Sequence, residues 1–106
     1  MRIRPERVAE TIKREMAEII MHKLRDPRLG GMISVTDVEV TRDLTMARIY
    51  VSVLGTDAER AKAIEALTHS VGFVRHELAP RLGLREMPEI RFLPDNSIQQ
   101  GARVEE

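Results

Sequence analysis

The stretch Ala47-Arg48-Ile49-Tyr50-Val51-Ser52-Val53 alternates apolar side chains with longer or polar ones at every position. Successive strand side chains point to opposite faces, so this reads as a strand with one dry and one wet face, and the rest of the chain must cover the dry one. Just upstream, Met32 to Thr41 is also rich in β-branched residues, but Ile33 and Val35 fall on one parity while Val38 and Val40 fall on the other. A straight strand cannot bury both pairs, so a bulge or sharp twist is expected near Thr36-Asp37. With a short turn around Arg42-Asp43-Leu44-Thr45 between them, the two strands form a hairpin.

The cover is helical. From Arg4 to Leu24, apolar residues recur at Val8, Ile12, Met16, Ile19, Ile20 and Leu24, one helical stripe, with Pro5 well placed in the first turn. That helix stops before Asp26-Pro27-Arg28-Leu29-Gly30-Gly31, where a proline and two glycines favour a turn. After the hairpin, Thr56-Asp57-Ala58-Glu59 fits a capping box and opens a second helical region. Ile64, Leu67, Val71, Val74 and Leu78 keep a helical rhythm through Gly72, which predicts two helices with a kink at Ser70-Val71-Gly72 and one continuous buried face. Pro80 and Gly83 end the second of them near Leu82. Met87 to Leu93 reads as a third strand, Pro88 at its start and Ile90 and Phe92 inward. Asp95-Asn96-Ser97 caps a last helical turn ending by Gly101. The expected division is a single domain over 1–95, followed over 96–106 by that short turn and a mobile tail.

The order helix, strand, strand, helix, kink, helix, strand is an α+β fold, a three-stranded sheet with helices on one face. A length of 106 residues suits one domain, and 42% apolar residues suffice for its core. Cysteine is absent, which removes disulfides, thiolate metal sites and cysteine nucleophiles. The longest stretch free of formal charge is Ala66 to Val74, and the N-terminus lacks an apolar segment after its basic residues, so we expect neither a signal peptide nor a spanning helix, and a cytoplasmic location.

Lys and Arg balance Asp and Glu, 17 against 17, so no net field draws the molecule to nucleic acid. The thirds differ: residues 1–30 hold eight basic side chains against five acidic ones, while 31–60 hold three against five. Part of this is a solvated helix face with pairs such as Glu10/Arg14 and Arg14/Glu18. Aromatics are only Tyr50, Phe73 and Phe92, which excludes a row of base-stacking rings. Glu65/His69 at i,i+4 and His69/His76 on one face invite a metal reading, but a third ligand of fixed spacing is missing; the histidines read as surface residues and no metal or cofactor is expected. No serine has nucleophile-elbow glycines around it and no glycine-rich loop opens a helix, so an enzyme is not expected. The six methionines, Met16 among them, read as core filler.

The same element order is that of a type II KH domain (α-β-β-α-kink-α-β), whose RNA-clamping Gly-x-x-Gly lacks its first glycine here. The stretches Arg7-Val8-Ala9-Glu10-Thr11-Ile12-Lys13-Arg14-Glu15, Asp26-Pro27-Arg28-Leu29-Gly30, Val35 to Leu44, Ala47 to Val53, Gly72 to Leu78, and Pro88-Glu89-Ile90-Arg91-Phe92 with Asp95, Ser97 and Gly101 follow one another in a further pattern. Through them the chain resembles the bacterial ribosome-binding factor A (RbfA) family over nearly its whole length. The resemblance implies a non-catalytic KH-like factor that binds the 30S ribosomal subunit and assists late maturation of 16S ribosomal RNA, including 5′-end processing. The family is associated with growth in the cold, and the resemblance also suggests a GTPase that releases the factor. The family's usual Ala-x-Gly kink has Ser70 at its first position here, a small residue that should keep the bend.

With the resemblance added, Arg2, Arg4, Arg7, Lys13 and Arg14 along the first helix, Arg25 and Arg28 at its exit, and Arg75 past the kink become candidate phosphate contacts. A helix of that length is about 30 Å long, so the charges form a stripe that could follow folded RNA. Arg48 and Arg91, on strands, are expected to pair with acids. The expected protein is a monomer with no membrane partner. The alternative is a KH-like protein–protein interaction module without direct RNA contact, motivated by the neutral total charge, the missing Gly-x-x-Gly and the scarcity of aromatics.

Overall fold

A computed structural model describes residues 3–24, 26, 29 and 32–95. Arg2, Arg25, Arg28, the Gly30-Gly31 turn and the tail 96–106 lie outside the described residues. The elements are α1 (Pro5–His22), β1 (Ile33–Val40), β2 (Met46–Val53), α2 (Asp57–His69), α3 (Val71–Leu82) and β3 (Glu89–Pro94). They form an α+β, KH-like layer pair with sheet order β1-β2-β3, β1 antiparallel and β3 parallel to β2. The parallel pairing obliges the chain to cross between β2 and β3, and α2 and α3 make that crossing.

The change of parity in β1 is absorbed where the sequence places it. The register slips between Val35 and Asp37, so Ile33, Val35, Val38 and Val40 oppose Val53, Val51, Ile49 and Ala47, all on the dry face. Thr36, left out of the ladder, donates its hydroxyl to the Asp95 carboxylate at 2.6 Å, a bond from the bulge to the end of β3. Asp95 continues the ladder past β3, its N–H donating to the Val51 carbonyl at 2.8 Å, while the helical turn expected to follow it lies outside the described residues. The β1–β2 turn is built around Asp43, whose carboxylate accepts from the hydroxyls of Thr45 (2.7 Å) and Thr41 (2.8 Å) and from the Thr45 amide (3.2 Å). These donors hold its carboxyl below the ordinary range, the Thr45 hydroxyl first and the Thr41 hydroxyl second.

Pro5 stands at the start of α1, which buries Val8, Ile12, Met16 and Ile19. It ends two residues earlier than the stripe suggests, because the Lys23 and Leu24 amides both turn back to the Ile19 carbonyl. The capping box of α2 is complete: the Glu59 amide donates to Thr56 Oγ1 at 3.1 Å and the Thr56 amide to Glu59 Oε1 at 2.8 Å. Gly55 is required beside it, because at its φ of +149° a Cβ would lie 2.5 Å from that same carboxylate oxygen. Ser70 (φ −94°, ψ 8°) separates α2 from α3, and Gly83 (φ 65°) closes α3 in the left-handed region, its amide donating to the Ala79 carbonyl. β3 runs two residues later than expected at its start, because pairing begins with the Glu89 amide on the Thr45 carbonyl and Pro88 has no N–H to offer.

The apolar face continues through the kink as expected: Leu67, Val74 and Leu78 are buried and Ile64 and Val71 pack half-buried against the same core, with Ala63 and Ala66 beside them. One expectation about packing is corrected. The methionines are not all core: Met16 is fully buried, but Met21 and Met32 are 74% and 72% exposed. Both stand where a layer ends, Met21 on the outer side of α1 and Met32 just ahead of β1. The surface pairs also differ from the i,i+4 expectation. Arg14 meets Glu15 at 3.5 Å, and Glu18 meets Arg81 at 3.6 Å.

Candidate nucleic-acid interface

Arg4 caps the start of α1 and Arg7 follows one turn on; both are exposed, and neither has an acidic partner among the described residues. At about 100° per residue, Arg7 and Arg14 lie on one flank of α1, within about 20° of each other, whereas Lys13 stands about 100° round from Arg14. The stripe expected along α1 is therefore divided between two flanks. The flank of Arg4 and Arg7 faces the end of α3, and the two arginines line a groove floored by Ile3, Val8, Leu82 and Leu84. Arg75, exposed on α3, donates to the Met87 carbonyl at 3.3 Å and lines a neighbouring groove of mixed charge, with Arg85 but also Asp43, Glu86 and Glu89. Ile3 and Leu84 line both grooves, and the groove beside Arg4 and Arg7 is the one without an acidic side chain among its described lining residues.

At the kink, Ser70 donates its hydroxyl to the Ala66 carbonyl at 3.0 Å while its amide meets the carbonyls of Ala66 and Leu67. Gly72 is exposed, and a Cβ built on it would find nothing within 4 Å. No close approach inside the fold requires this glycine. It leaves a bare stretch of helix surface next to Phe73, which is 40% exposed. The histidines 22, 69 and 76 are exposed, and among the described residues no three His, Asp or Glu side chains gather as a metal set.

Arg81 and Arg85 are the residues that sequence reasoning missed. Arg81 Nη1 meets Glu15 at 2.9 Å and Glu18 at 3.6 Å, and its Nη2 meets Glu77 at 3.5 Å, tying α3 to α1. The Glu77/Arg81 spacing was visible in the sequence; the α1 partners, more than sixty residues away, were not. Arg85 follows the helix-ending Gly83, and only the chain's return toward α1 makes it a neighbour of Arg75. Arg48 meets Glu39 at 3.7 Å on the open face of the sheet, where the Tyr50 hydroxyl also donates to Glu39 at 3.2 Å. Burial first, then the Glu39 charge, pushes the Tyr50 phenol up.

The arrangement offers fixed positive charge over an apolar floor, without a nucleophile, a paired base or a metal set among the described residues. Such chemistry suits an anionic, partly apolar ligand. Among the described residues no helix is long and apolar enough to cross a membrane.

Comparison with known proteins gives a consistent result. The family model described as "Ribosome-binding factor A" matches residues 4–106. The ribosome-binding factor A of Acetivibrio thermocellus is 50% identical over 101 residues, covering 95% of this chain and 82% of that relative. Among solved structures, the crystal structure of ribosome-binding factor A from Thermus thermophilus superposes with a TM-score of 0.77 at 28% identity, covering 88% of this chain and 97% of that one. Coordinates of the Thermus thermophilus factor fitted into a cryo-EM map of a 30S complex give a TM-score of 0.69 at 30% identity, covering 83% and 91%.

Proposed function

The chain belongs to the ribosome-binding factor A family, and from that premise we propose that it binds the 30S ribosomal subunit and assists late maturation of 16S ribosomal RNA, including 5′-end processing, as a binding factor and not a catalyst. The observation that carries the reading is its likeness, in sequence and fold, to a homologue fitted into a 30S complex. The arginine-rimmed surface supports it. Arg4, Arg7, Arg14 and Arg75 are exposed cations on rigid helices, suited to phosphates; Lys13, on the other flank of α1, and Arg2, Arg25 and Arg28 complete the proposed contact set. The bare helix at Ser70-Val71-Gly72 gives an RNA backbone room to approach. The factor acts as a cytoplasmic monomer, holds one arrangement of the RNA, and leaves when a GTPase acts on the mature particle.

Sedimentation of a lysate through a sucrose gradient tests this. The protein runs with free 30S particles and is released as salt rises, because phosphate contacts release counterions; its absence from that fraction at low salt defeats the reading. One observation favours the protein-binding alternative. A second groove, between α1 and β1, is lined by Ala17, Ile20, Met21, Leu29, Met32 and Ile33 and carries no charged side chain among the described residues. In that reading the protein keeps a stable partner after nuclease treatment and shows no affinity for RNA-bearing particles.

A further inference from the structure

The groove between the start of α1 and the end of α3 has a composition that phosphate contact alone does not explain. Its volume is about 440 Å³, within the range of small-molecule sites. Among its described lining residues three are arginines, none is acidic, and the floor is aliphatic. A surface that met only phosphates would gain nothing from Ile3, Leu82 and Leu84. A basic or neutral peptide would find no use for the arginines. A ligand with a flat apolar body and anionic flanks satisfies both halves.

We propose that this groove holds one unstacked nucleotide of a single-stranded RNA segment, its base over Ile3, Leu82 and Leu84 and its flanking phosphates on Arg4 and Arg7. The inference deepens the reading above, on which it rests for the presence of RNA. Aromatic stacking is not needed, because bases also stack on guanidinium planes. Arg81, which lines the groove, is held by Glu15, Glu18 and Glu77, which more than balance its charge and fix its plane, so it offers a stacking face and no phosphate contact. Arg4 and Arg7 have no such partners among the described residues and keep their charge for phosphate. A duplex cannot use the groove, since its bases are stacked and its A-form major groove is closed to side chains.

The test uses the full chain with labelled isoleucine and leucine methyl groups and two probes, a single-stranded tetranucleotide and a blunt-ended RNA duplex without loops. The tetranucleotide shifts the methyls of Ile3, Leu82 and Leu84 and the duplex leaves them in place. Ile3→Gln, at a position already 44% exposed and so tolerant of change, weakens the tetranucleotide about fivefold or more. Silent methyls, or equal shifts with the duplex, overturn the proposal. Binding to 30S particles is measured on the same preparation: particles bound with silent methyls defeat the groove alone, and shifted methyls without particle binding support the groove and defeat the wider reading of function.

Discussion

The two ends of the sheet carry different surfaces on the same strands. At the hairpin-turn end, Arg4 and Arg7 flank a floor of Ile3 and Leu84, and Arg75 and Arg85 stand beyond it among Asp43, Glu86 and Glu89. At the other end, about 25 Å away along an eight-residue strand, Met21, Met32 and Leu54 are more than 70% exposed, and the groove beside Met21 and Met32 has no charged lining among the described residues. Leu54 and Met32 are joined by a backbone bond at 3.1 Å, so the apolar end continues from β1 to β2. Exposure of apolar side chains therefore does not by itself indicate a ligand class. The groove of Arg4 and Arg7 combines an apolar floor with exposed cations and suits a nucleotide; at the methionine end the groove beside Met21 has no charged side chain among its described lining residues, and the adjoining groove of Met32 and Leu54 sets Arg60 beside Asp95.

The largest effect expected from breaking this contrast is on the basic end. Arg4→Glu with Arg7→Glu lowers affinity for 30S particles by about a hundredfold and reduces the salt slope by about two, read by sedimentation across a salt series. Unchanged binding would place the RNA contact elsewhere. Next is Arg81→Met, which leaves Glu15 and Glu77 half-buried without this partner and loosens α3 from α1. Stability in urea falls by about 1 kcal/mol, a figure discounted because the arginine is about a quarter exposed. Gly72→Ala acts in the opposite sense. With open space around its Cβ it stabilises the fold by about 0.5–1 kcal/mol, while particle binding weakens if RNA approaches the kink there. Smallest is Met21→Gln with Met32→Gln, which keeps 30S affinity within about twofold and stability within about 0.5 kcal/mol. A large loss of binding in this pair would erase the distinction between the two ends and favour the protein-binding alternative.

Elements whose signals are short-range were legible in the chain. The broken parity of Ile33/Val35 against Val38/Val40 marked the bulge. Thr56 and Glu59 marked the start of α2, and Gly83 the end of α3. The candidate site was legible only as a set of cations. Arg4, Arg7 and Arg75 could be named, but not that Arg4 and Arg7 share a groove with Leu82 and Leu84, nor that Lys13 stands on a separate flank. The exposure of Met21 and Met32 was hidden too, because residue type reports the cost of exposure and not whether a layer ends beside it.

Local periodicity and capping chemistry thus determined where the helices and strands lie, since each is decided by atoms within a few residues. The order β1-β2-β3, the parallel seating of β3 and the closure of Arg81 onto Glu15 were decided only in the folded molecule. These are contacts between segments far apart in the chain, chosen by how two layers bury their apolar faces together, and no window of sequence contains both partners.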